Sequence, residues 1–269
     1  MVKIRPFLKW AGSKYNCLEK IIPFLPPGKR LIEPFAGSGV VFMNTHYSSH
    51  LLAESNQDLI YLFTTLQQQG SAFIKLCETY FSPEFNQKEK YYQIRSDFNE
   101  SAHSPQKSAS FLYLNRHGYN GLCRYNSKGF YNVPFGLYNK PYFPHKEMQL
   151  FHQKSQHAEF IHQDFRKTFE NAERGDVIYC DPPYVLLSEK SHHLPYTKKL
   201  FTTEDQIELT ELAKETAAKG IPVILSNHDT EFTRYHYRKA EIKSFPVSRF
   251  INCQGSLRRP VTELIAIFS

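Results

Sequence analysis

Asp181-Pro182-Pro183-Tyr184 is the stretch with the clearest chemical capacity. It follows Asp176-Val177-Ile178, an apolar run that reads as a buried strand. Two successive prolines cannot donate backbone hydrogen bonds or continue a strand, so the chain leaves the sheet just after Asp181. That leaves a carboxylate, unpaired carbonyls and a phenol ring at a strand's carboxyl end. The set suits a flat, exocyclic amine, with two acceptors for its N–H groups and an aromatic face for its ring. On this stretch alone, an ordinary acidic turn after a core strand is an equal alternative.

A second constellation lies upstream. Residues 30–33 read as a strand running into Phe35-Ala36-Gly37-Ser38-Gly39, a glycine turn that opens a helix. The third glycine of the dinucleotide fingerprint is replaced by Phe42, which disfavours a pyrophosphate on the helix N-terminus. The next strand, 50–53, ends at Glu54, a carboxylate able to accept hydrogen bonds from both ribose hydroxyls. Glycine turn plus acid describes a nucleoside cofactor without a diphosphate, as S-adenosylmethionine is. A third strand, 158–162, ends near Asp164-Phe165, which can hydrogen-bond and stack on an adenine or simply end a strand.

The elements that must position these residues follow from periodicity. Helical patterns cover about 14–24, 56–66, 72–80, 89–98, 109–116 and 204–219; further strands are expected at 221–226, 240–245 and 262–268. Strands alternating with helices through one sheet give an α/β fold, with a helical insertion after the second strand. The insertion continues into 117–134, whose Asn120-Gly121 and Ser127-Lys128-Gly129 signal tight turns. This loop-and-hairpin, rich in Tyr, Asn, Arg and Lys, reads as poor core material. It is either a surface for base edges or a solvated hairpin. Residues 185–201 read as a polar loop over the site, and 248–259 as a basic loop that touches phosphates or is merely solvated.

Composition sets outer bounds. The 269 residues carry a formal charge of +7 and 15% aromatics, 17 of them tyrosines, which favours a polyanionic partner with bases to stack on. Five widely spaced cysteines with no C-x-x-C pair argue for free thiols in a reducing cytoplasm, without disulfides or zinc. His192-His193 lacks metal-ligand spacing. No apolar run approaches a membrane span, and the start lacks a signal peptide's apolar core.

The order of motifs resembles a known family. Phe35-Ala36-Gly37-Ser38-Gly39 followed by Asp181-Pro182-Pro183-Tyr184 is similar to the cofactor and catalytic motifs of amino-group DNA methyltransferases. Lys9-Trp10-Ala11-Gly12-x-Lys14 and Asn115-Arg116-x-Gly118-Tyr119-Asn120-Gly121-Leu122-Cys123-Arg124-Tyr125-Asn126 narrow the resemblance to the Dam-type adenine methyltransferases. It implies a Rossmann-like, S-adenosylmethionine-dependent methyltransferase fold with a mixed seven-stranded sheet. Catalysis would fall to 1–55 and 145–269, and target recognition to 56–144. The implied reaction is methylation of adenine N6 in double-stranded GATC by a cytosolic, metal-free monomer, with the base flipped out of the duplex.

By the same resemblance, Asp181, Pro182, Pro183 and Tyr184 are catalytic. Trp10, Lys14, Phe35, Ala36, Gly37, Gly39, Glu54, Asp164, Phe165 and Asp181 surround the cofactor. Lys9, Leu122, Arg124, Pro134 and Tyr138 read bases, while Tyr119 and Asn120 fill the gap left by the flipped base. Arg95, Arg116, Asn126 and Asn132 contact phosphates. Ser13 stands where the family usually has a glycine, and Glu54 where an Asp is common. Cytosine N4 methylation shares the same acid-proline chemistry. C5 methylation needs a Pro-Cys thiolate, whereas here Cys180 precedes the acid. A DNA-binding module without catalysis is the alternative from another class.

Overall fold

The computed structural model describes residues 3–184, 201–247 and 261–269. The expected loops at 185–201 and 248–259 therefore lie outside the described residues except for Phe201.

Seven strands form one sheet: β1 (Arg30–Glu33), β2 (Ser49–Glu54), β3 (Ala158–His162), β4 (Asp176–Cys180), β5 (Val223–His228), β6 (Glu241–Val247) and β7 (Val261–Phe268). Their order is β3-β2-β1-β4-β5-β7-β6. The first five are parallel, and β7 inserts antiparallel between β5 and β6. Buried parallel strands need apolar residues on both faces. Accordingly Ile32, Ile178 and Leu225 pack one way, against Leu209 and Tyr237. Leu31, Val177, Tyr179 and Ile224 pack the other way, against Leu18, Val40 and Val41.

The helices are α1 (Leu18–Ile21), α2 (Val40–Asn44), α3 (Gln57–Thr79), α4 (Lys88–Glu100), α5 (Pro105–His117), α6 (His145–Ser155), α7 (Phe165–Glu170), α8 (Thr203–Ala218) and α9 (Glu231–His236). The helix expected over 14–24 is instead one turn of α1 between two 3-10 segments, the second holding Pro23 in its first turn. Asn56 caps α3 as expected, its side chain accepting from Leu59 N–H at 3.1 Å. The two helices expected on either side of Gly70 are one run bent there, because Gly70 adopts φ 48°. The His152 ring fills the bend, and a β-carbon at Gly70 would sit 2.6 Å from its Nε2. Among the described residues no helix is long and apolar enough to cross a membrane.

The insertion does not stand apart from the sheet. Phe7, Phe42 and Leu52 belong to the same apolar cluster as Phe63, Phe73, Tyr91, Phe111, Tyr131 and Phe151. The loop after α5 contributes to it, which corrects the expectation that this segment is poor core material. Cys123, Tyr125, Tyr131 and Val133 are all buried.

One buried carboxyl sits at the root of the glycine turn. Glu33 is 2% exposed, accepts a hydrogen bond from Phe42 N–H in the first turn of α2, and leaves Oε1 without a partner. Burial pushes it up to about 8, against the opposing pull of that N–H. The folded chain thus holds a proton that the unfolded chain releases near 4.5. The stability Glu33 contributes is full below that value and is lost as pH rises through about 8. Glu33→Gln keeps the acceptor and removes the charge. Its melting temperature relative to the parent should climb by on the order of 5 °C between pH 5 and pH 9. A difference that stays flat across this range would mean that Glu33 is not the proton-holding group.

Candidate active site

Chain order reverses at β1. The chain winds from β1 to β2 and β3 on one side, then places β4 on the other. Ligands in such sheets bind outside the carboxyl ends of the strands at this reversal. The glycine turn follows β1, Glu54 ends β2, and Asp181 follows β4, so all three reach that edge.

The glycine turn is held open by its backbone. Gly37 and Gly39 adopt φ 49° and 67°, left-handed values that favour glycine. A β-carbon at Gly37 would lie 3.1 Å from Trp10 Nε1, which puts the tryptophan ring directly over the turn. Buried Ala36 donates its N–H to Ala53 O at 3.0 Å and ties the turn to β2. Ser13 Oγ lies 3.2 Å from Ser38 Oγ, so the N-terminal motif is pinned to the same turn. Ser13 itself adopts φ −50° and ψ 127°, a conformation open to any residue. Serine in place of the family's glycine therefore costs no strain.

Glu54 curls back over the end of its own strand. Its Oε1 accepts from Ser55 N, Ser55 Oγ and Asn56 N, and its Oε2 accepts from Gly37 N at 3.1 Å. Burial pushes its carboxyl up, and these donors pull it back. Oε2 keeps a free acceptor position beside the turn, which is where a ribose hydroxyl needs one. Nearby, the Phe35 and Phe165 rings stack at 5.4 Å with Phe201 edge-on at 5.7 Å from Phe35. Phe35 is the half-buried ring, whereas Phe165 is 5% exposed. Asp164 caps α7 by accepting from Arg166 N–H. Acceptor, glycine cradle and aromatic rings fit a nucleoside with no diphosphate. Among the described residues no cluster of His, Cys, Asp and Glu is arranged to hold a metal.

The corner after β4 is built on Lys14. This lysine is 4% exposed, and its Nζ lies 2.9 Å from Asp181 Oδ1, 2.6 Å from the Tyr184 hydroxyl and 3.9 Å from Glu263 Oε2. Burial works against its charge, but the Asp181 and Glu263 carboxylates outweigh that and hold it above the ordinary lysine range. Burial likewise pushes Asp181 up, opposed by Lys14 and by a hydrogen bond from the Tyr184 hydroxyl. Pro182 is buried, Pro183 exposed, and the Tyr184 ring packs 4.1 Å from His228. Neither His228 nor Glu263 stood out in the sequence. The one usable signal was a carboxylate directly before the apolar run Leu264-Ile265-Ala266-Ile267-Phe268. Cys180 faces Leu209 and Ala213 in the core, away from Lys14.

The loop after α5 forms a two-stranded ribbon in which Tyr125 bridges Tyr131. Residues alternate across it. Cys123, Tyr125, Tyr131 and Val133 point inward, while Leu122, Arg124, Asn126, Asn132 and Pro134 lie on the outer side. The five predicted contact residues of the ribbon thus share one face. Tyr119 and Asn120 are exposed at a tight turn where Asn120 takes φ 53°. Lys9 Nζ sits 3.8 Å over the Tyr138 ring, and burial, with Arg116 nearby, lowers it to about 8.

Other predicted DNA contacts have prior engagements. Arg116 is 8% exposed and donates from Nε to Tyr142 O at 3.0 Å. Arg95 donates to Val133 O at 2.9 Å from the inner side of the ribbon. Asn126 Oδ1 accepts from Lys128 and Phe130 N–H and so shapes the ribbon tip. Sequence reading also passed over the role of Asn115. It is fully buried, accepts from Lys9 N–H at 2.9 Å and donates to Lys9 O at 2.7 Å, joining the N-terminal motif to α5.

Known proteins resemble the chain along its whole length. The chain is 46% identical over 270 residues to a DNA adenine methylase of Vibrio cholerae serotype O1, covering 100% of this chain and 98% of that protein. It is 44% identical to the DNA adenine methylase of Escherichia coli K12, covering 100% and 96%. With that of Serratia marcescens it shares 44% identity at 100% coverage of both. Residues 10–249 match the profile of the D12 class N6 adenine-specific DNA methyltransferases. The mixed seven-stranded sheet is accordingly a methyltransferase fold, and the chain belongs to the D12 class of N6 adenine-specific DNA methyltransferases.

Proposed function

We propose that this adenine-specific DNA methyltransferase takes its methyl group from S-adenosylmethionine and delivers it to N6 of the adenine in double-stranded GATC, with the base everted from the duplex. The observation that carries the reading is the Asp181 carboxylate, held on buried Lys14 at the sheet's reversal point and followed directly by the Pro182 carbonyl. Residues 1–55 and 145–269 are assigned to catalysis, and 56–144 to target recognition.

Trp10, Phe35, Ala36, Gly37, Gly39 and Glu54 would hold the cofactor, with Asp164 and Phe165 bordering its adenine. When bound, it supplies an electrophilic methyl on a sulfonium. The chain's own residues act on the amine. A stacked adenine cannot reach this corner, so the base must leave the helix. Its N6 lone pair is delocalised into the ring and nucleophilically weak. Asp181 Oδ and Pro182 O, accepting the two N6 hydrogens, favour tetrahedral nitrogen and stabilise the positive charge that develops there. The Tyr184 ring offers a face to the base. Asp181, with its proton affinity raised by burial, then takes the proton that methylated N6 releases. Leu122, Arg124, Pro134, Tyr138 and Lys9 are assigned to base edges, and Tyr119 and Asn120 to the vacated space. Arg95, Arg116, Asn126 and Asn132 are assigned to phosphates.

Two experiments test this. The protein incubated with S-adenosylmethionine and a mixed-sequence duplex should place N6-methyladenine at GATC; modification scattered over other sequences would overturn the target. Lys14→Gln removes the cation that opposes protonation of Asp181. The acid limb of its pH–rate profile should move to higher pH, with the loss of kcat greater at pH 6 than at pH 9. An unshifted profile would remove the ion pair from the mechanism.

A further inference from the structure

Asn132 and Arg124 face each other across the ribbon and are joined three times. Arg124 Nε donates to Asn132 Oδ1 at 2.6 Å, Arg124 Nη2 donates to Asn132 O at 2.9 Å, and Asn132 N–H donates to Arg124 O at 3.0 Å. The side edge of the guanidinium is thereby consumed. Of its five N–H groups, the two on Nη1 and one on Nη2 remain, forming the end-on fork that matches two acceptors on a base edge. The ribbon beneath is fixed independently. Tyr125 donates its hydroxyl to Asp58 Oδ2 at 2.7 Å, and Asn99 Oδ1 accepts from Tyr131 N–H at 2.7 Å.

From this geometry we propose that Asn132 is the positioning residue that aims Arg124 at the O6 and N7 acceptors of a guanine in the recognition site. The inference rests on the assignment of Arg124 to base readout. It adds to Asn132 a role in specificity beyond a phosphate contact. The carboxamide oxygen is committed to the guanidinium, which leaves the Nδ2 hydrogens for any other partner. The acceptor is what matters, so aspartate can replace asparagine here. At a phosphate contact, aspartate would be worse than alanine.

The test compares kcat/KM on a GATC duplex with duplexes altered at one base pair, together with the salt dependence of binding. Arg124→Ala should reduce discrimination at one G·C pair by about tenfold. Asn132→Ala should do the same at the same pair, whereas Asn132→Asp keeps discrimination within about twofold of the parent. Adding Asn132→Ala to Arg124→Ala should change discrimination no further. The proposal is overturned if Asn132→Asp discriminates worse than Asn132→Ala. It is equally overturned if Asn132→Ala weakens every duplex alike while the salt slope falls by about one. Unchanged discrimination in Arg124→Ala alone would instead refute the base-reading assignment, a failure visible without touching Asn132.

Discussion

The structure depends on one buried cation. A lysine that is 4% exposed is costly unless carboxylates surround it, and Lys14 has two, Asp181 on the turn after β4 and Glu263 on β7. The arrangement binds three distant parts of the chain into one corner: the N-terminal motif, the acid-proline turn and the last strand. It also fixes the Asp181 carboxylate in place, with Lys14 Nζ on Oδ1 and the Tyr184 hydroxyl donating to the same group. A carboxylate proposed to grip an amine needs that fixed position.

The remaining architecture ties α5 and the ribbon that follows it to that corner. Asn115 holds the backbone of Lys9, five residues before Lys14, so α5 and the N-terminal motif move as one. Asn56 Nδ2 donates to Cys123 Sγ at 3.5 Å, which ties the ribbon to the segment just after Glu54. The shared apolar cluster does the rest: Tyr131 under the ribbon and Phe42 beside the glycine turn belong to one packed body. Alternation along the ribbon lets one short segment serve both ends, aromatic and apolar residues inward and Arg124, Asn126 and Asn132 outward.

Much of this was legible in the residues themselves. The strands at β1, β4 and β7 announced themselves as apolar runs ended by Pro or polar residues, and Asn56 marked the start of α3 by its capping chemistry. Three helices did not. α6 buries only Met148, Phe151 and Ser155, and α7 and α9 are six residues each, too short for periodicity to speak. The capping box of Thr230 and Thr233 was the one local signal for α9. The motif residues of the site could be named from the sequence, but their partnerships could not. Lys14 and Asp181 are 167 positions apart, and only the reversal of strand order at β1 brings them together. The buried side of the ribbon is hard to read because Arg, Asn, Ser, Lys and Tyr around two tight turns look solvated until alternation across two strands is taken into account.

The most direct test of the central claim is a crystal structure of the protein with a GATC duplex and a non-reactive S-adenosylmethionine analogue. The account predicts an everted adenine with N6 about 3 Å from both the Asp181 carboxylate and the Pro182 carbonyl, and Asp181 still on Lys14. An adenine left stacked in the duplex, or an N6 held by other groups with Asp181 remote from it, would contradict the account.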